Sequence, residues 1–256
     1  MNLVALPAFT DNYIWMLHDG HAAVVVDPGD AVPVERALDR LGLELHGILV
    51  THHHGDHVGG VQALLPRLEG PVLGPARESI GVAFDPVRDG DRIEVLGFGF
   101  EVLDVPGHTA GHVAYLQRDA VRRPLVFCGD TLFSAGCGRL FEGTPAQMAA
   151  SLARLAELAP DTRVCCTHEY TLSNLRFAAA VEPDNAEVRE HLATCARLRA
   201  AGVPTLPSTI GLERAINPFL RCHEAPVAQS AAARGALPSD PVSVFATLRE
   251  WKNQFR

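Results

Sequence analysis

The sequence predicts an α/β domain followed by an all-α one. Short β-rich runs broken by glycine and proline turns alternate with a few helices up to residue 168. Beyond it, three long stretches keep helical spacing between proline-rich turns. Histidines and aspartates also gather where expected strands end. A chain of 256 residues fits one large domain with a smaller appendage, and the expected domains are residues 1–168 and 169–256.

In chain order, "AAVVVDPGD" reads as a buried strand ending in a Pro-Gly turn, and "VPVERALDRLG" as a helix closed by Gly42. "HGILVT" is the next strand and delivers a histidine cluster; "VGGVQALLPRL" follows as a short helix. "DRIEVLGFGFEVLDVPGH", "HVAYLQ" and "PLVFCGD" alternate like a meander of antiparallel strands. "PAQMAASLARLAEL" starts a helix behind Thr144, and "TRVCCTH" is one more strand. "TLSNLRFAAAVEP", "NAEVREHLATCARLRAAG" and "PVSVFATLREWKNQF" carry the helical periodicity of the last part.

Composition narrows the function. The chain is 47% hydrophobic and 20% charged, ordinary for a globular protein, with a formal charge of −8. That acidic balance argues against nucleic acid or an anionic membrane as the main partner. No apolar run approaches the roughly 20 residues of a membrane span. "MNLVALPAFTDNYIWML" lacks a basic leader, so the expected location is cytoplasmic. Six cysteines form no C-x-x-C pair and suit reduced thiols. No exposed apolar pattern demands a dimer, and a monomer is expected.

The chemistry sits in "ILVTHHHGDHVGG". On an extended segment His52, His54 and Asp56 share a side while His53 points away, and Gly55 allows a turn that returns His57 toward Asp56. Imidazole with carboxylate suits zinc, iron or manganese. His108 and His112 in "DVPGHTAGH", Asp130 in "VFCGDTLF" and His168 in "VCCTHEY" also fall at strand ends. Each alone could be a polar turn residue; together they suggest one cleft. A structural zinc site would be closed and cysteine-rich, whereas these motifs hold histidine and aspartate and leave room for catalysis. No G-x-S-x-G is present to support a serine hydrolase.

"THHHGDH", "PGHTAGH", "CGDTLF" and "THEY", in that order, resemble the metal motifs of the metallo-β-lactamase superfamily. "FTDNY", "VDPGD", "SAGCGRLFEGT" and "LREWKNQF" extend the resemblance, over essentially the whole chain, to glyoxalase II, the hydroxyacylglutathione hydrolases. The resemblance implies a four-layer αββα sandwich with two divalent ions, zinc first and iron or manganese as alternatives. His52, His54 and His108 would hold one ion, Asp56, His57 and His168 the other, and Asp130 would bridge them. His112 is no ligand in the family pattern and reads as structural; Asp27 is expected to orient a ligand histidine.

The same resemblance implies hydrolysis of S-D-lactoylglutathione to D-lactate and glutathione, the second step of methylglyoxal detoxification. Arg249 and Lys252 stand three apart on one helix face. Periodicity alone allows a solvated charged face, but the pair matches the family's glutathione-binding Arg-x-x-Lys. His168, Tyr170, Arg139 and Phe141 complete the implied substrate positions. Arg139 replaces a lysine found in some members and keeps its charge; Phe141 replaces a tyrosine and removes a hydroxyl. The alternative activity is a glutathione persulfide dioxygenase with a single iron, a class that generally lacks the helical C-terminal part. A tRNA-processing nuclease is disfavoured by the acidic balance.

Overall fold

The computed structural model describes residues 2–118 and 123–255. By internal packing the chain forms two units, residues 1–104 with 110–129 and residues 105–109 with 130–256. The change of texture at residue 168, where strands give way to helices, lies inside the second unit.

The first unit contains two sheets. One has the order β1(Asn2–Ala8), β2(Asn12–His18), β3(Ala22–Val26), β4(Glu44–Leu49), β5(Val72–Pro75), β6(Asp85–Val87). Its first three strands are antiparallel, and from β3 to β6 the pairing is parallel. Parallel strands are covered on both faces, which is why "AAVVV" is buried at every position. Alternate residues Ile14, Met16, Ala23 and Val25 join Val34 and Leu38 of helix α1(Ala31–Leu41) in one core cluster. Asp30 caps α1 by accepting from the Val32 N–H at 3.0 Å, and Gly42 ends it in the left-handed region at φ 64°.

The second sheet of this unit is the expected meander: β7(Arg92–Val95), β8(Phe98–Asp104), β9(Val113–Gln117) and β10(Leu125–Gly129), paired antiparallel in the order β10-β9-β8-β7. The two sheets face one another, since the fully buried Tyr115 of β9 donates its hydroxyl to the Val50 carbonyl at 2.8 Å, beyond the end of β4.

Two local expectations need correction. Asp56 does not lie on an extended segment: after His54, the extended N-cap, the chain enters a helical turn, α2(Gly55–Val58), which carries both Asp56 and the expected return of His57. An aspartate in a first turn is favoured by the partial positive charge of the helix start. The stretch 58–68 forms no single helix; α3(Val61–Leu64) is followed by a 3₁₀ turn over Leu65–Arg67. Pro66 lacks the N–H that would continue an α-helix.

The second unit holds a small hairpin, β11(Leu132–Phe133) with β12(Gly136–Cys137), then α4(Pro145–Ala156) and β13(Arg163–Cys166). Helices α5(Thr171–Val181) and α6(Ala186–Ala200) follow. The strand β14(Ser208–Thr209) pairs with β13 and leads into α7(Ile210–Ile216), α8(Ala225–Ala232) and α9(Pro241–Gln254). Thr144 and Gln147 form a reciprocal capping box at the start of α4.

Candidate metal centre

In the first unit the end of β4 presents His52 and His54, and α2 presents Asp56 and His57. His52 Nε2 lies 3.1 Å from His54 Nδ1, and the His52 and His57 rings are 4.0 Å apart. Asp56 Oδ2 is 3.7 Å from His57 Nε2 and accepts from the Asn12 amide at 3.0 Å. Four donor groups of the type that binds borderline divalent ions thus lie side by side, and that chemistry fits a metal.

A buried layer sets their orientation. Asp27 Oδ2 lies 3.0 Å from His57 Nδ1, which leaves Nε2 toward Asp56. The same carboxylate accepts from the Thr51 N–H at 2.7 Å and the Thr51 hydroxyl at 2.8 Å. Gly29 lets the backbone of Asp56 approach closely: a Cβ there would fall 1.8 Å from the Asp56 carbonyl oxygen. His112 is fully buried, stacks on His52 at 4.6 Å, and has Nδ1 3.0 Å from the Val113 carbonyl. His53 turns elsewhere, with Nδ1 2.9 Å from Glu78 Oε2. The buried Glu78 carboxylate also accepts from the backbone N–H of His53 at 2.6 Å and of Gly111 at 3.0 Å.

The second unit carries His108, Asp130 and His168, all buried. His108 Nδ1 is 2.8 Å from the Arg139 carbonyl, which fixes the ring with Nε2 directed to Asp130 Oδ2 at 3.4 Å. His168 Nε2 meets the same oxygen at 3.3 Å. The Tyr170 ring stacks on His168 at 4.7 Å with an interplanar angle of 1°, and Phe133 stands edge-on to both. Phe141 is 63% exposed and packs edge-on against His108. Arg139 is exposed.

The two cations of α9 differ. Arg249 is buried, donates from Nη1 to the Cys137 carbonyl at 2.8 Å, and lies over Phe219. Lys252 donates to the Ser173 hydroxyl at 3.0 Å. Burial pushes the Lys252 ammonium down to about 8, and the charges of Arg249 and Arg139 add to the shift.

Sequence reasoning did not single out Asn12, Thr51, Glu78 or Ser173. Asn12 sits in the quoted "FTDNY" and Thr51 immediately precedes the histidines, so both carried a positional signal. Glu78, from a loop with no motif, carried none.

Comparison with known proteins adds to this geometry. The family described as "Metallo-beta-lactamase superfamily" matches residues 8–168, and that described as "Hydroxyacylglutathione hydrolase C-terminus" matches residues 169–255. A curated relative from Albidiferax ferrireducens, named hydroxyacylglutathione hydrolase, is 58% identical over 255 residues and covers 100% of both chains. Among solved structures, the B3 metallo-β-lactamase BLEG-1 superposes with a TM-score of 0.64 at 23% identity, over 86% of this chain and 99% of its own. TTHA1623, solved in a di-iron-bound form, gives 0.60 at 30% identity, over 86% of this chain and 100% of its own.

Proposed function

Because this chain belongs to the hydroxyacylglutathione hydrolases of the metallo-β-lactamase superfamily, we propose that it cleaves 2-hydroxyacyl-glutathione thioesters, S-D-lactoylglutathione first. The products are D-lactate and glutathione, which places the chain at the hydrolytic step of methylglyoxal detoxification.

His52, His54 and His108 would hold one divalent ion, Asp56, His57 and His168 the second, and Asp130 both. The observation that carries this reading is that His108 Nε2 and His168 Nε2, assigned to different ions, face one oxygen of Asp130 at 3.4 and 3.3 Å. That convergence suits a carboxylate shared by two ions. When bound, the two ions, zinc first and iron or manganese as alternatives, would lower the pKa of a shared water toward neutrality and polarise the thioester carbonyl.

The chain's own residues do the rest. Asp27 and the Arg139 carbonyl hold the far nitrogens of His57 and His108, so that Nε2 of each presents its lone pair. Lys252, with Arg139 and Arg249 near enough to depress its pKa, forms a cationic field for the carboxylates of glutathione. Tyr170, stacked on His168 and 38% exposed, would offer its hydroxyl to the tripeptide. The leaving thiolate is stable enough to depart without a dedicated proton donor.

The persulfide dioxygenase alternative is not favoured, because the helical part matches the hydrolase C-terminal family. Among the described residues no helix is long and apolar enough to cross a membrane. A cytoplasmic monomer is the accompanying reading, and the charge of −8 argues against a nucleic-acid partner. The deciding experiment compares turnover of S-D-lactoylglutathione with that of a thioester lacking glutathione, using protein of measured metal content. Fast cleavage of the first and slow cleavage of the second supports the assignment. Absence of turnover with two ions bound per chain would overturn it.

A further inference from the structure

The turn at residues 133–137 joins Asp130 to Arg139, and side chains of three helices meet four of its five carbonyls and one of its N–H groups. Asn217, at the end of α7, donates to the Phe133 carbonyl at 3.1 Å and the Gly136 carbonyl at 2.9 Å. Asn174 of α5 donates to the Ser134 carbonyl at 3.0 Å. Glu213 of α7 accepts from the Ala135 N–H at 2.7 Å and from Asn217 at 3.2 Å. Arg249 of α9 takes the Cys137 carbonyl at 2.8 Å.

This concentration is costly to build. Glu213 and Asn217 are completely buried, Asn174 is 5% exposed and Arg249 6%. A buried amide or carboxylate lowers stability unless its hydrogen bonds are made. Burial raises the pKa of Glu213, opposed by its hydrogen bonds from the Ala135 N–H and the Asn217 amide. Backbone groups of a buried turn need partners, but hairpin pairing or water commonly supplies them. Here Ala135 is also held at φ 54°, a left-handed conformation that an alanine keeps only when its surroundings impose it. Gly136 allows the approach, since a Cβ there would sit 2.4 Å from the Asn174 amide.

The turn leads directly to the proposed chemistry. The Gly138 N–H donates to the Thr131 carbonyl at 3.2 Å, and the Arg139 carbonyl faces His108 Nδ1 at 2.8 Å. A displaced turn would therefore shift the ring of His108 and the backbone beside Asp130.

We propose that Asn174, Glu213, Asn217 and Arg249 are positioning residues, a four-point clamp by which α5, α7 and α9 set the 133–137 turn and through it Asp130, His108 and Arg139. The helical part then contributes to the alignment of catalytic groups as well as to substrate capture. This inference rests on the proposed thioesterase activity for its kinetic consequence only; the clamp itself can be read without substrate.

The test uses the full-length protein and two variants. In Glu213→Met, which removes the acceptor at similar volume, exchange of the Ala135 amide, followed by NMR, should accelerate at least tenfold while the amide of Val164 in β13 is unchanged. In Asn217→Asp, the three bonds donated by the amide are lost at almost constant volume, and kcat/KM should fall at least tenfold. That deficit should shrink as pH drops from about 8 to 6, because a protonated aspartate can again donate to one carbonyl. Val227→Ala, in the core of α8, is the control for general destabilisation. If Asn217→Asp does not fold, Asn174→Ala, which removes one bond, takes its place. Unchanged Ala135 exchange, or an Asn217→Asp profile that parallels the wild type with no larger loss than the control, would overturn the clamp. A wild type without turnover would count against the activity instead, with the exchange result still deciding the clamp.

Discussion

Asp27 Oδ2 lies 3.0 Å from His57 Nδ1, and both side chains are buried. The contact occupies Nδ1 and leaves Nε2 turned toward Asp56, the nitrogen available to the proposed ion. Removing the charge while keeping the shape tests it: Asp27→Asn should weaken metal binding about 10- to 100-fold, measured by competition with a chromophoric chelator. Unchanged affinity would mean that Asp27 serves only to hold Thr51.

Asp130 offers one oxygen to two histidines. Asp130→Ala should abolish nearly all hydrolysis and lower the bound metal from two ions per chain, read by elemental analysis. Retention of both ions would remove the bridging assignment.

The lowered pKa of Lys252 predicts an alkaline limit to the proposed activity. Its pKa of about 8 means that it is charged below that pH and loses its proton as pH rises through it. KM for the glutathione thioester should therefore rise above pH 8 with kcat less affected, and Lys252→Arg should remove the rise. A KM flat from pH 7 to 9.5 in the wild type would separate Lys252 from substrate binding.

Arg249→Ala should act twice. It leaves the buried Cys137 carbonyl without its donor and strips the packing over Phe219, a loss of about 1–3 kcal/mol in stability. It should also raise KM, and a KM equal to wild type would sink the glutathione reading of α9. Thermal unfolding and steady-state kinetics on the same preparation keep the two effects apart.

The histidine and aspartate motifs of the candidate site were legible because each sits beside a recognisable strand end or turn. The second sheet was legible because "DRIEV", "HVAYLQ" and "PLVFCGD" carry alternation and turn residues. The first two strands were not anticipated: "NLVALPA" contains Pro7, which reads against a strand yet is tolerated in β1 at the sheet edge. Helices α7 and α8 are only 7 and 8 residues long, too short for periodicity to announce them. The clamp on the 133–137 turn was invisible for a different reason. Its members come from sequence positions 40 to more than 100 residues away, and only folding brings them together.

The six cysteines, all buried, have a consequence for an enzyme that handles thioesters. An exposed thiolate would exchange with the substrate and leave the protein acylated. Here burial holds the Cys222 thiol at about 12 and Cys195 at about 11, so neither ionises appreciably near neutrality. The chain is thereby chemically silent toward the acyl donors around it. Alkylation by a small thiol reagent would then act as a clock on opening of the fold, each labelled cysteine marking a region that has come apart.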